Sequence, residues 1–148
     1  MPSPKPDALT QVTRLLAATD KTRAQLAEAL ARRGYEQVEV ESALERAKAL
    51  GYLDDTRVAR RRAQASLKEG WAGEALLARL MQAGLDEQTA RAAVQAQIAE
   101  SGWNALQAAQ ALVKARKLSG AKGARFLASR GFEEDLVERV IGTGGFDR

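Results

Sequence analysis

Apolar residues along this chain recur every three to four positions, in short blocks interrupted by glycine or by small polar clusters, and this pattern predicts helices rather than strands. The first block spans residues 7–18, with Asp7 as its cap and Ala8, Leu9, Val12, Leu15 and Leu16 on one side. The tetrapeptide Thr19-Asp20-Lys21-Thr22 breaks it. Thr22 then caps a second helix that carries Leu26, Ala27, Leu30 and Ala31 and stops at Gly34, after Arg32-Arg33 in its last turn. A third helix starts at about residue 36, turns Val40, Ala43, Leu44 and Ala47 inward, and stops at Gly51.

The pattern repeats. Gly34, Gly84 and Gly131 each have a leucine four residues before (Leu30, Leu80, Leu127) and a bulky apolar residue directly after (Tyr35, Leu85, Phe132). An acid follows in each copy (Glu36, Asp86, Glu133), where the next helix begins and its dipole favours negative charge. Further on, Val40-Ala43-Leu44, Ala90-Ala93-Val94 and Val137-Val140-Ile141 hold the same register. Each copy also has an earlier helix, at 7–18, 55–69 and 103–118. The expectation is nine helices in three triplets, at residues 7–52, 53–102 and 103–148, behind a proline-rich tail at 1–6 that is extended and disordered. A triplet of this size should not bury its apolar faces alone. The units then stack into an elongated, curved right-handed array with a concave side.

The stretch Gly51, Tyr52, Leu53, Asp54, Asp55 is the hinge between the first and second units, combining a helix stop, a core anchor and a helix start. Its two acids read as an N-cap and a first-turn carboxylate, not as a catalytic pair. Gly102-Trp103 occupies the corresponding place one unit later.

Composition narrows the function more than it names it. The 148 residues include no cysteine and no histidine, which removes disulfides, thiolate nucleophiles, the usual zinc ligands and the usual proton shuttle. An enzyme, a metal site and a bound cofactor are therefore not expected. All three prolines fall within the first six residues and only 5% of residues are aromatic, in keeping with an all-α fold built on small aliphatic contacts. With no apolar signal region and no bilayer-length apolar run, the expectation is a soluble, cytoplasmic chain away from membranes.

The net charge of +4 is unevenly spread. Residues 56–68 hold Arg57, Arg60, Arg61, Arg62 and Lys68 without an acid. Residues 101–132 hold Lys114, Arg116, Lys117, Lys122, Arg125 and Arg130, again without one. On helix 55–69, Arg57, Arg60, Arg61, Gln64 and Lys68 share an arc of roughly 100°, opposite Val58, Ala59, Ala63, Ser66 and Leu67. Arg62 falls in the apolar sector, where it either meets a carboxylate between helices or reaches outward along its stem. On helix 103–118, Gln107, Gln110, Lys114 and Lys117 line one side, and Lys122 and Arg125 follow on the next helix. In parallel register these stripes would form one basic surface, suited to phosphate backbones or to the acidic face of a protein. Trp71 and Trp103 are core anchors at helix junctions in preference to base-stacking platforms. The glycine-containing turns at 69–73 and 119–123 lack the elements of a nucleotide site.

Four of these segments together resemble the RecX family of bacterial recombination regulators: Arg32-Arg33-Gly34-Tyr35; Leu50-Gly51-Tyr52-Leu53-Asp54-Asp55 with Val58-Ala59 and the arginines; Leu80 with Gly84-Leu85-Asp86; and Arg125-Phe126-Leu127 with Arg130-Gly131-Phe132. The Gly51 to Asp55 signature is the most specific of them. Family members usually carry phenylalanine where Val58 stands, and this chain is on the short side. The resemblance implies three tandem three-helix repeats in a monomeric, non-enzymatic protein that binds the RecA recombinase filament, in its groove or at its end, with single- or double-stranded DNA as a further contact. It implies inhibition of the filament's ATPase, strand-exchange and coprotease activities, and so a part in DNA repair, recombination and the SOS response. The residues expected to face filament or DNA are Arg57, Arg60, Arg61, Lys68, Lys114, Lys117, Lys122 and Arg125. A nonspecific architectural DNA-binding helical protein is the alternative; a protein-binding adaptor whose basic stripes only solubilise it is a third reading.

Overall fold

The computed structural model describes residues 5–142, and these form nine helices and no strand. In chain order they are α1 (Ala8–Ala18), α2 (Arg23–Arg32), α3 (Gln37–Ala49), α4 (Asp55–Lys68), α5 (Gly73–Gln82), α6 (Glu87–Ser101), α7 (Ala105–Arg116), α8 (Gly120–Ser129) and α9 (Glu134–Ile141). Side-chain oxygens start many of them. Asp7 accepts from the Thr10 amide at 2.8 Å, Asp54 from Thr56 at 3.0 Å, Asp86 from Thr89 at 2.7 Å and Asn104 from Gln107 at 3.0 Å, each meeting an amide that has no partner inside its helix. The third helix of the last unit ends at Ile141, and residues 143–148 of the expected unit lie outside the described residues.

The three aligned glycines are one structural device. In each, the glycine amide bonds the carbonyl three residues back, and the next amide bonds the repeat leucine: Tyr35 to Leu30 at 3.2 Å, Leu85 to Leu80 at 3.4 Å, Phe132 to Leu127 at 3.2 Å. These bonds close the second helix of each unit with a Schellman turn, which needs a left-handed residue, and the glycines have φ of 88°, 98° and 99°. The turn points its leucine and the following apolar residue into the same core, and all six side chains are buried. Burying each leucine contributes about 1.5–3 kcal/mol. The expected acids are the residues just before the third helices, with Asp86 supplying its side chain as a cap.

Each triplet has one hydrophobic cluster, and each cluster also takes in a residue of the adjoining unit: Leu53 in the first, Trp103 in the second and Ala72 in the third. Val12, Leu26, Leu30, Tyr35, Val40, Leu44 and Leu53 form the first cluster. The second is packed at the α4–α6 contact by Ala59, Ala63, Ala90 and Ala93, all at most 4% exposed. Alanines facing alanines let those two helices approach closely. Ala109, Leu127, Phe132 and Val137 form the third with Ala72 from the preceding unit, and Trp103 packs against both the second and third clusters.

Backbone and polar groups also join the units. Thr22, fully buried at the N-terminal end of α2, donates to the carbonyl of Ala83 at the C-terminal end of α5 (2.6 Å). One unit later the amide of Ala72, at the N-terminal end of α5, donates to the carbonyl of Arg130 at the C-terminal end of α8 (2.8 Å). Both joints set the positive end of one helix dipole on the negative end of another. Both are also tight: a Cβ on Gly84 would lie 2.5 Å from Ala24 Cβ, and one on Gly131 would overlap the Ala72 carbonyl oxygen. At the free end of α2, the Lys5 ammonium donates to the Gly34 carbonyl (3.2 Å) and stands over the Tyr35 ring, while Tyr35 donates its hydroxyl to the carbonyl of Pro6. Residues 1–4 of the expected tail lie outside the described residues, whereas Lys5 and Pro6 are tied to this helix end.

Gly131→Ala should therefore cost about 2–5 kcal/mol, from left-handed strain plus overlap with the neighbouring unit. Gly51→Ala, which meets no atom within 4 Å, should cost only about 1–2 kcal/mol. Urea unfolding midpoints of the two variants check the difference, and equal losses would refute the tight joint.

Candidate functional site

The fold exposes the basic face of α4 as expected. Arg57, Arg60, Arg61, Gln64 and Lys68 are exposed, and Val58, Ala59, Ala63, Ser66 and Leu67 are buried. The absence of an acid holds only along the sequence. Asp20, from the α1–α2 link, pairs with Arg61. Asp54 stands 4.0 Å from Arg57, whose guanidinium also donates to the Tyr52 carbonyl at 3.3 Å. Arg60 and Lys68 have no ion pair among the described residues. Arg62 takes neither path expected of it: its Nη2 donates to the Gln25 side-chain oxygen across the joint to α2 (3.2 Å), and its buried Nε has no protein partner.

In the third unit Lys114, Lys122 and Arg125 are exposed, with no ion pair among the described residues. Lys117 corrects the helical reading. It lies one residue past α7 in a left-handed conformation (φ 55°), so it terminates the helix instead of extending the Lys114 face. The end of α4 reaches α7 at Gly70, where a Cβ would lie 2.7 Å from the Leu112 side chain.

The Gly51 to Asp55 stretch acts as scaffold. Gly51 is left-handed, Leu53 is the buried anchor at 4% exposure, and Tyr52 is 48% exposed, unlike half-buried Trp103 at the corresponding joint. Asp54 caps α4. Asp55 does more than favour its own helix: its carboxylate accepts from the Arg23 amide at 2.9 Å, capping the start of α2 across the joint.

A second basic feature sits where units two and three meet, and the stripe reading missed it. The Arg79 and Arg130 guanidiniums each lie 4.4 Å from the centre of the Trp71 ring. Arg130 also lies 4.7 Å from the Phe126 ring, and Arg116 lies 4.8 Å from that same ring. The result is a chain of alternating cations and rings, Arg79, Trp71, Arg130, Phe126, Arg116. Arg130 is its fixed member, since its Nη1 donates to the Glu69 carbonyl (2.9 Å) and its own carbonyl receives the Ala72 amide. Burial, and then the positive charges of Arg116 and Arg79, lower the Arg130 pKa from its ordinary value, with Glu69 opposing. Glu69 is the acid at this cluster, 3.7 Å from Arg79. Arg79 lies on a helix outside both basic stretches, and its partner ring is shared with a residue of the next unit. No periodicity announces such a pairing; Trp71 at the α4–α5 junction is the signal nearest to it.

Trp71 thus anchors the second core, as expected, but its ring is also a platform for two guanidiniums. Among the described residues no group of three acidic, histidine or cysteine side chains could hold a metal ion, and no helix is long and apolar enough to cross a membrane.

Comparison with known proteins bears on all three units. Residues 8–46 match the family described as "RecX, first three-helix domain". "Regulatory protein RecX" of Chromohalobacter salexigens is 32% identical over 145 residues, covering 94% of this chain and 91% of that protein. The protein of that name in Acidithiobacillus ferrooxidans is 31% identical over 152 residues, 97% of this chain and 95% of that protein. A third, from Syntrophotalea carbinolica, is 38% identical over 93 residues, which span 61% of its length. Two crystal structures share the fold. One, of regulatory protein RecX, has a TM-score of 0.72 at 16% identity over 90% of this chain and 69% of that one. The other, of RecX from Lactobacillus salivarius, has a TM-score of 0.68 at 14% identity over 90% and 92%.

Trp71→Ala should lower the free energy of unfolding by about 2–3 kcal/mol, less than a fully buried tryptophan would cost. Trp71→Phe, which keeps a ring beneath both guanidiniums, should lose under about 1.5 kcal/mol. Chemical denaturation checks both, and equal losses would exclude the ring as the supporting element.

Proposed function

This chain belongs to the RecX family of regulatory proteins, and on that premise we propose that it binds the RecA recombinase filament on DNA and restrains its ATPase, strand-exchange and coprotease activities. It does so as a cytoplasmic monomer without a cofactor or catalytic chemistry of its own, through three units at 7–52, 53–102 and 103–148. The observation that carries this reading is the set of exposed cations with no ion pair among the described residues: Arg60 and Lys68 on the second unit, Lys114, Lys122 and Arg125 on the third. Arg57 and Arg61 join them readily. The Asp54 pair is exposed and the Asp20 pair lies at the surface with Asp20 half-buried; such pairs are worth about 0–1 kcal/mol, so a filament carboxylate or phosphate can replace either acid. Lys117 contributes from the end of α7.

Charges spread over units joined by tight backbone contacts suit a ligand that is itself extended and negatively charged. Many weak contacts then add, because each one already made raises the effective concentration of the next. Such binding is sensitive to salt.

The variant with Arg57→Ala, Arg60→Ala and Arg61→Ala should inhibit the recombinase ATPase about tenfold less well, as expected for three exposed contacts worth roughly 0.5 kcal/mol each. Its inhibition should also depend less steeply on salt. ATP hydrolysis by a preformed filament, followed as the protein is added, is the measurement; unchanged inhibition by the triple variant would overturn the assignment of α4.

A further inference from the structure

We propose that the stack of Arg79, Trp71, Arg130, Phe126 and Arg116 is a binding site for the phosphodiester backbone of nucleic acid, separate from the α4 stripe. Three guanidiniums meet here with Glu69 as the opposing carboxylate, and that acid forms an ion pair with Arg79 alone, at 3.7 Å. The site has an unspent positive charge. Burial and mutual repulsion act on Arg130, so an anion arriving between these cations relieves a cost already present in the fold.

The geometry selects the kind of anion. Arg130 spends Nη1 on the Glu69 carbonyl and Arg79 pairs with Glu69 at 3.7 Å, while Arg116 has no ion pair among the described residues; the remaining guanidinium N–H groups can meet two oxygens of a phosphate. Lysine could not serve in this way. The rings are engaged too: Trp71 has two guanidiniums over it, and so has Phe126, so neither is free to stack a base. What remains for a ligand is a cluster of guanidinium N–H groups linked through shared rings. A nucleic-acid strand offers a repeating row of phosphates; an acidic protein face offers carboxylates without that regularity. Recognition is therefore expected to be independent of base sequence. The outer members can respond, because Arg79 keeps 44% of its side chain exposed and Arg116 is exposed, while Arg130 is held by the Glu69 carbonyl.

This inference goes beyond the filament reading and is tested without the recombinase, so either can fail while the other stands. The probe is a fluorescein-labelled thymidine oligonucleotide, alone and as its duplex with deoxyadenosine, followed by anisotropy across a salt series. Arg79→Gln and Arg116→Gln lie on exposed positions and leave the Arg130 contacts in place. Each should weaken binding several-fold and reduce the salt slope by about 1, equally for thymidine and mixed-sequence strands. Loss with the single strand alone, or with both strand forms, tells which form the site holds. Lys48→Gln, which removes the same charge from an exposed position in the first unit, should do less. The proposal is overturned if the Arg79→Gln, Arg116→Gln double variant binds as the parent does, or if Lys48→Gln weakens binding as much. It is also overturned if polyglutamate of matched charge displaces the oligonucleotide as well as unlabelled strand does, which would mark the stack as a docking site for acidic protein. A retained circular-dichroism melt shows that the variants are folded.

Discussion

Everything in this chain depends on how the second helix of each unit ends. A left-handed glycine turns the backbone so that the amide after it reaches the repeat leucine carbonyl, and this one geometry sends two apolar side chains into the core while leaving the helix-end carbonyl exposed. In the second and third units that carbonyl then accepts a bond from the preceding unit, from Thr22 in one case and from the Ala72 amide in the other. The turn is thus both the keystone of a unit and the socket of a joint. Cost decides the residue: any Cβ at Gly84 or Gly131 meets the neighbouring unit as well as an unfavourable φ, so two independent penalties act against replacement.

Charge is arranged by the same fold. Along the sequence residues 56–68 and 101–132 look like uninterrupted cation runs, but the tertiary structure sets Asp20 against Arg61 and Asp54 against Arg57 while leaving Arg60 and Lys68 unpaired among the described residues. Because such pairs are worth so little, these acids leave both arginines available to another anion. The aromatic stack is a different regime. There the cations are held by rings and a backbone carbonyl, so their order does not depend on a counter-charge.

Much of the fold was legible in the residues because helices announce themselves locally. The leucine, glycine, apolar and acid register identified the three turns, and Asp7, Thr22, Asp54 and Asp86 marked helix starts before any contact was known. The inward and outward faces of α4 followed from angular position alone. What stayed hidden depends on residues distant in the chain: Arg62 meeting Gln25, Asp55 capping α2, and Arg79 sharing Trp71 with Arg130. The residues lent across unit boundaries, Leu53, Trp103 and Ala72, stayed hidden for the same reason. Lys117 shows the limit within a helix, where one left-handed residue removes a side chain from its expected face.

The joints have one more consequence. Each brings together unlike ends, the start of one helix and the finish of another, so neither possesses a two-fold axis. The molecule is therefore a vector: turned end for end it presents a different sequence of surfaces. A polar polymer with a fixed strand direction can be matched by such an object in one orientation only, which gives a sequence-blind ligand a heading as well as a place.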